Sequence, residues 1–165
     1  MSAFSEACRV QILIADHGVA DSASKINMLG AGFQVAGLQP NGFIAPQSVV
    51  VIIEGPSDHF GEQYAFELAL YDSGGQLVET PALTGEKNPL RIAQALTADA
   101  PSVAGVSKHA LSLWSHQQFI ATFPGGMPLA AGQTYEWRVG IDGDQHPNWR
   151  ASFFVPGPPP PPVLG

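Results

Sequence analysis

Charged side chains are scarce in this chain of 165 residues. Lys, Arg, Asp and Glu make up only 13% of the residues, about half of the usual share of roughly 25%. The surface must therefore be covered largely by small and uncharged polar side chains. This composition favours a surface that is partly covered by a partner, although a soluble monomer with a neutral surface fits it equally well.

Positive charge is especially scarce. Seven Lys and Arg residues stand against fourteen Asp and Glu residues, and the net charge is -7. No basic run is present, so binding to nucleic acid or to an anionic membrane surface is disfavoured. We therefore predict that the partners are neither nucleic acids nor membranes.

Cysteine and long apolar runs are almost missing. The single thiol, Cys8, excludes an internal disulfide and is typical of a small buried side chain. No run of roughly 18 apolar residues occurs, and the first residues lack a basic region followed by a long apolar segment. We expect neither a secretion signal nor a membrane span, and synthesis in the cytoplasm of the producing cell.

Period-two alternation is the strongest pattern that is present, between Leu129 and Val155. Tyr135, Trp137, Val139 and Ile141 fall on one face of a strand, and after a polar break Trp149, Ala151, Phe153 and Val155 repeat the alternation. This predicts a β-hairpin with one dry face. Because a hairpin is not stable alone, further strands must cover that face.

Other segments also favour strands. They are residues 9–15, residues 25–38 with a bend at Gly30-Ala31-Gly32, residues 48–54 as a central strand, residues 64–72 with a turn at 73–75, residues 90–98, and residues 109–123 with Leu111, Leu113 and Phe119 inward. For residues 90–98 a short helix capped by Asn88 is the alternative. With about eight strands and no convincing amphipathic helix, the chain is predicted to be all-β, an antiparallel β-sandwich of immunoglobulin-like or jelly-roll-like order over residues 1–155.

Residues 156–165 differ in kind and are predicted to be an extended proline-rich tail. Its five consecutive prolines favour polyproline II, which has no internal hydrogen bonds. Followed by two apolar residues, this strip is suited to an aromatic-lined groove of a partner, and a disordered stub is the alternative. The predicted contact residues are Pro158, Pro159, Pro160, Pro161, Pro162, Val163 and Leu164.

Two patterns resemble chemical sites only weakly. Asp142, Asp144 and His146 could in principle bind a divalent ion, but a type I′ turn at Asp142-Gly143 explains the same residues. His17 and His59 each follow an aspartate, yet successive residues of an extended chain point to opposite faces. No nucleophile turn, phosphate loop or zinc-protease motif accompanies them. We predict no catalytic residues, no metal and no cofactor, hence not an enzyme.

The three tryptophans have different expected roles. Trp137 is in phase with Tyr135 and Val139, which predicts a core position. Trp149 follows the polar break and is expected to be partly exposed, and Trp114 is out of phase with Leu111 and Leu113. Trp114 and Trp149 are therefore the predicted contact residues, with rim tryptophans that cap the sandwich as the alternative.

Several stretches together resemble an uncharacterised family of small β-sandwich proteins from actinobacteria and their bacteriophages. They include KINMLGAGF from Lys25 and LAAGQTYEWRVGIDG from Leu129, which fit the patterns K-x-N-x-L-G-x-G and L-x-x-G-x-Y-x-W-x-V-x-I-D-G. The resemblance covers most of residues 9–155 and excludes the tail. It implies the fold and a phage context, but no activity.

Three functions follow as hypotheses. The first is a non-enzymatic structural protein of the phage virion, such as a capsid decoration or accessory protein, made in the host cytoplasm. It would bind capsid or tail subunits through its sandwich edges, loops and tail, and it could also form a homo-oligomer. The second is a soluble cytoplasmic binding module that recognises a glycan or a host protein. The third is a hydrolase that uses His17 or His59.

Overall fold

The computed structural model of the protein describes residues 1–81, 85–108 and 112–157. Antiparallel β-structure dominates them, which confirms the predicted all-β class. They contain one short helix, α1 (Ala3–Ala7), and a 3-10 turn at Ser57–His59. The strands are β1 (Arg9–Ala15), β2 (His17–Ala20), β3 (Ile26–Leu29), β4 (Gln47–Gly55), β5 (Gln63–Tyr71), β6 (Glu79–Pro81), β7 (Lys87–Pro89), β8 (Arg91–Thr97), β9 (Ser115–Phe123), β10 (Gln133–Ile141) and β11 (Asp144–Val155).

The described residues form more strands than the sequence predicts. The additional ones are short: β2 pairs with β3, and β6 pairs with β7. β2 and β7 lie outside every segment that the sequence predicts to be a strand. The strand prediction for residues 90–98 is confirmed by β8, and the helix alternative is wrong.

β4 is the middle strand of a three-stranded sheet in the order β1-β4-β9, as predicted. Val49, Val50 and Val51 are all fully buried, so the strand is covered on both faces. The ribbon β2-β3 supplies the cover on the Val50 face, because Gly18 lies against Val50 and its N–H donates to Ser48 Oγ at 3.0 Å.

The second large sheet has the order β11-β10-β5-β8. Its hairpin β10-β11 is the one that the alternation predicts, and it turns at Asp142 and Gly143, where φ is 52° and 82°. Two successive positive φ values are the requirement of a type I′ turn. The predicted turn is therefore confirmed.

Both large sheets contribute to one apolar core. Tyr135, Trp137, Val139 and Ile141 are buried, which confirms the dry face of the hairpin. The Phe66 ring of β5 lies 4.9 Å from the Phe119 ring of β9, and Phe123 of β9 stacks on Trp137 of β10 with centroids 5.4 Å apart. The β-sandwich and its immunoglobulin-like or jelly-roll order stay predictions, as do the domain limits.

The long strand predicted for residues 109–123 is wrong in its first part. β9 begins at Ser115, because its partner β4 ends at Gly55, where Ser115 Oγ accepts the Gly55 N–H at 3.0 Å. Ser112 has a φ of 49°, and Leu113 is 52% exposed and not inward. Leu111 lies outside the described residues, whereas Phe119 packs against the core as predicted.

The single strand predicted for residues 25–38 is two separate segments. β3 ends at Leu29, and the chain turns through Gly30 and Gly32, whose φ values are 63° and 86°. The following residues run beside β11: the Phe154 N–H donates to the Gln34 carbonyl at 2.8 Å, and the Ala36 N–H donates to the Phe154 carbonyl at 2.9 Å. The glycines therefore redirect the chain from one sheet to the edge of the other.

Candidate functional site

The carboxylates of the β10-β11 turn hold the N-terminal helix. Ser2 Oγ donates to Asp142 Oδ2 and Ser5 Oγ donates to Asp144 Oδ2, both at 2.7 Å. The Ser2 N–H also donates to Asp144 Oδ2 at 2.7 Å, and the Ala65 N–H donates to Asp142 Oδ1 at 2.8 Å. The hydrogen bonds from Ser5 Oγ and from the Ser2 N–H, that from Ser5 first, lower the pKa of Asp144. We call this arrangement the α1 anchor.

The α1 anchor assigns Asp142 and Asp144 a structural role. Their oxygens accept hydrogen bonds from Ser2, Ser5 and the Ala65 N–H, and an ionised carboxylate can only accept hydrogen bonds. These bonds tie the N-terminal helix and β5 to the turn. Within residues 1–81, 85–108 and 112–157, no three His, Cys, Asp or Glu side chains are grouped to hold a metal ion. Sequence reasoning missed this role, because Ser2 and Asp144 are 142 positions apart.

A surface pocket of about 520 Å³ lies where α1 and β1 meet β11. We call it the N-terminal pocket. One wall comes from residues 1–10 and the other from β11, and both polar and apolar residues line it. Its lining residues are Met1, Ser5, Glu6, Cys8, Arg9, Val10, His146, Asn148 and Trp149.

Arg9 connects the two tryptophans that the sequence predicts as contact residues. Its side chain lines the N-terminal pocket beside Trp149, and its guanidinium lies 4.4 Å from the centre of the Trp114 ring. Trp114 is half-buried under this cation. The structure thus brings Trp114 and Trp149 to the same side of the molecule through one arginine.

Trp149 is buried, so the expectation that it is partly exposed is wrong. It is only 6% accessible, because it has the same phase as Phe153 and Val155 and joins the core. Only an edge of it reaches the pocket, where the His146 ring lies 5.7 Å away. Its role as a contact residue stays a prediction.

Cys8, in the same pocket, is a poor nucleophile. Burial raises the pKa of its thiol to about 11. The thiol lies 3.6 Å from the Ser5 carbonyl, to which it donates. It is therefore protonated at neutral pH, and the thiolate is the reactive form of cysteine.

The two histidines proposed for a hydrolase lie apart from a nucleophile. His59 Nδ1 is 2.8 Å from Glu62 Oε2, and its ring meets Phe4 edge-on at 5.7 Å. In the described part of the chain, neither His17 nor His59 is hydrogen-bonded to a Ser or Asp side chain. The prediction that the chain is not an enzyme stays a prediction.

An exposed apolar patch, which sequence reasoning missed, lies at the edge of β11. Val35 is paired with Phe154, and these side chains are 59% and 40% exposed. Leu38 and Phe43, in the same segment as Val35, are each 36% exposed. We call these four residues the Val35–Phe154 patch. The signal was the double aromatic Phe153-Phe154, since alternation forces one of two successive residues outward.

The predicted tail contacts, Pro158 to Leu164, lie outside the described residues. The chain leading to them is held firmly: Val155 is fully buried, and its carbonyl accepts the Gly132 N–H at 2.7 Å. Gly157 is exposed. The tail therefore begins directly beside the Val35–Phe154 patch.

A scan against protein-family models finds no family that matches this chain, and a search of the curated proteins finds no match. The resemblance to actinobacterial and phage sandwich proteins thus stays a prediction. Among the helices of the described residues, none has the length and apolar character needed to cross a membrane.

Proposed function

We propose that this chain is a non-enzymatic interaction protein and a structural component of a bacteriophage particle, such as a capsid decoration or accessory protein. It is made in the host cytoplasm and joins the virion by binding other protein subunits of the capsid or the tail. The contacts are made by its surface patch, its sheet edges and its proline-rich tail.

The Val35–Phe154 patch is the observation that carries this proposal. Four large apolar side chains are exposed, one on β11 and three on residues 35–43, and this second segment pairs with β11 at Val35 and Phe154. Exposed apolar surface of this kind favours a protein contact. An interaction protein covers such a patch in its assembled state, which supports a subunit of an assembly over a free monomer.

The tail lies close enough to act together with the patch. Only three residues separate Phe154 from Pro158, and four residue steps of extended chain span at most about 14 Å. A subunit that covers Phe154 is therefore within reach of the prolines. Two weak contacts on one partner strengthen each other through their high local concentration.

The first experiment is a mass-spectrometric inventory of purified particles of the phage that encodes this chain. The chain should be present in stoichiometric amounts, and its absence from the particles overturns the proposal. Purified protein should then bind particles that lack it. Phe154→Asp and removal of residues 158–165 should each reduce this binding.

A matched control separates the patch from exposed apolar surface in general. Val106 is 44% exposed, close to the exposure of Phe154, but lies on the loop after β8. Val106→Asp should bind particles as the unchanged protein does. Equal binding by Phe154→Asp and Val106→Asp would contradict a role of the patch.

A soluble module that recognises a glycan or a host protein is the second candidate, favoured by the N-terminal pocket. Arg9, Trp114 and Asn148 offer a cation, an aromatic ring and an exposed amide on one surface, as sugar-binding sites do. A glycan array should then show a ligand whose binding is lost in Asn148→Ala and Trp114→Ala. No ligand above background on the array and in a host-protein pull-down would remove this candidate.

A further inference from the structure

β8 is an outer strand with one unpaired side. It is hydrogen-bonded to β5 along its whole length, from Arg91 opposite Ala69 to Thr97 opposite Gln63. In the described part of the chain, the backbone groups of residues 92–96 that face away from β5 have no hydrogen-bond partner. Ala93, Gln94 and Ala95 are all exposed. This edge is therefore open to another strand.

The usual protections of a sheet edge are missing from β8. Proteins block such edges with lysines, prolines, bulges or inward-pointing charges. Residues 92–97, IAQALT, contain no charge and no proline, and their register with β5 is unbroken. The one charged residue of β8, Arg91, forms an ion pair with Glu67, whose Oε2 accepts a hydrogen bond from Arg91 Nε at 2.7 Å.

The other outer strands are less accessible. Residues 34–36 cover part of the β11 edge, and the Gly32 N–H donates to the Ile14 carbonyl on the β1 edge. β9 is also outermost in its sheet, but its residues 117–120 are half-buried, whereas residues 93–95 of β8 are exposed.

The sequence of β8 is complementary to itself in antiparallel register. With a two-fold axis at its middle residue, Gln94, each Ile92 is opposite Leu96 of the second copy and each Ala93 is opposite Ala95. Arg91 is opposite Thr97, so no like charges meet, and the two Gln94 amides face each other. Opposed residues of an antiparallel pair share a face, which keeps Ile92 and Leu96 of both copies on the core side.

We propose that two copies of this chain pair antiparallel through β8 about a two-fold axis at Gln94, and so join their four-stranded sheets into one continuous sheet. The pairing satisfies the free backbone groups of both edges and extends the apolar row of Ile92 and Leu96. It goes beyond the proposed function, because such a dimer forms in solution whether or not a phage particle accepts it.

Sedimentation equilibrium of the full chain tests the pairing. The mass should approach twice the 17.4 kDa of one chain as the concentration rises. Gln94→Lys places two ammonium groups opposite each other and should abolish the dimer. Because residue 94 is exposed, the variant should stay folded, which circular dichroism can check. Thr134→Lys adds the same charge to an exposed position of β10 and should leave the dimer intact.

Cross-linking tests the register independently of stability. In a Cys8→Ser background, Gln94→Cys should form a disulfide-linked dimer on mild oxidation, because the two side chains are directly opposed, and Thr134→Cys should stay monomeric. The proposal is overturned by a monomer at all concentrations, by a dimer that persists in Gln94→Lys, or by equal cross-linking at both positions.

Discussion

Gln47 is a polar side chain inside the apolar core. It is 1% exposed and has the same phase as Val49 and Val51, and neither atom of its amide has a hydrogen-bond partner in the described residues. An unpaired buried polar group costs about 1–3 kcal/mol. Gln47→Met has a similar volume, and we expect it to raise the free energy of unfolding by about 1 kcal/mol, measured in urea. Gln47→Ala is the control and should lower it, while a loss of stability in Gln47→Met would show that the amide is paired.

Cys8 allows a test of the packing around α1. Its pKa is raised from 9.0 to about 11 by burial, so the folded protein should hold roughly a hundredfold less thiolate near neutral pH than the unfolded chain. Iodoacetamide should react correspondingly slowly with the native protein. Above pH 9.0 the unfolded chain loses the thiol proton, whereas the folded protein keeps it. The free energy of unfolding should therefore fall between pH 9.0 and 11. Cys8→Ser should lack this contribution, and equal alkylation rates in the native and unfolded states would contradict it.

Asp144 makes the α1 anchor sensitive to acid. The pKa of its carboxyl is lowered from 3.8 by the hydrogen bonds from Ser5 and Ser2. A carboxyl whose pKa is lower in the folded state stabilises that state at pH values above the pKa that it has in the unfolded chain. This stabilisation is lost as the pH falls below about 3.8. The hydrogen-exchange protection factors of the Glu6 and Cys8 amides, taken relative to the intrinsic exchange rate at each pH, should fall in this range. In Asp144→Asn their exchange should be fast already at neutral pH, and unchanged protection there would contradict the anchor.

At the scale of elements, Gly55 controls how α1 packs on the sheets. A Cβ at this position would overlap the Phe4 ring and lie 2.9 Å from Ser115 Oγ. Gly55→Ala should therefore displace α1 and lower the free energy of unfolding by about 1–3 kcal/mol. Gly37→Ala is the matched control, because nothing lies within 4 Å of its Cβ position and its φ is not positive. Thermal unfolding of both variants measures the difference.

Elements with strict alternation could be predicted from sequence, and elements defined by distant contacts could not. The burial of Trp137 and Phe153 follows from period two alone. The start of β9 at Ser115 depends on where its partner strand ends, 60 positions earlier. The N-terminal pocket likewise depends on residues 5–10 meeting residues 146–149, which no local pattern encodes.

At the scale of the whole molecule, the domain limit at residue 155 can be tested by truncation. Val155 is fully buried, whereas Gly157 is exposed. A chain ending at Gly157 should unfold within about 0.5 kcal/mol of the full chain, because all core residues of the described chain precede Gly157. A chain ending at Phe154 loses Val155 and should be clearly less stable. Equal stability of the two truncated chains, or a large loss in the first, would place the limit elsewhere.

The α1 anchor joins segments that lie far apart in the sequence, since Ser5 Oγ in α1 donates to a carboxylate oxygen of Asp144, 139 positions later. During translation, α1 cannot form this hydrogen bond until residue 144 has left the ribosome. The contact therefore forms only after the 139 residues that follow Ser5 have been made. Because contacts of such large sequence separation form late, we expect the anchoring of α1 to be among the last steps of folding.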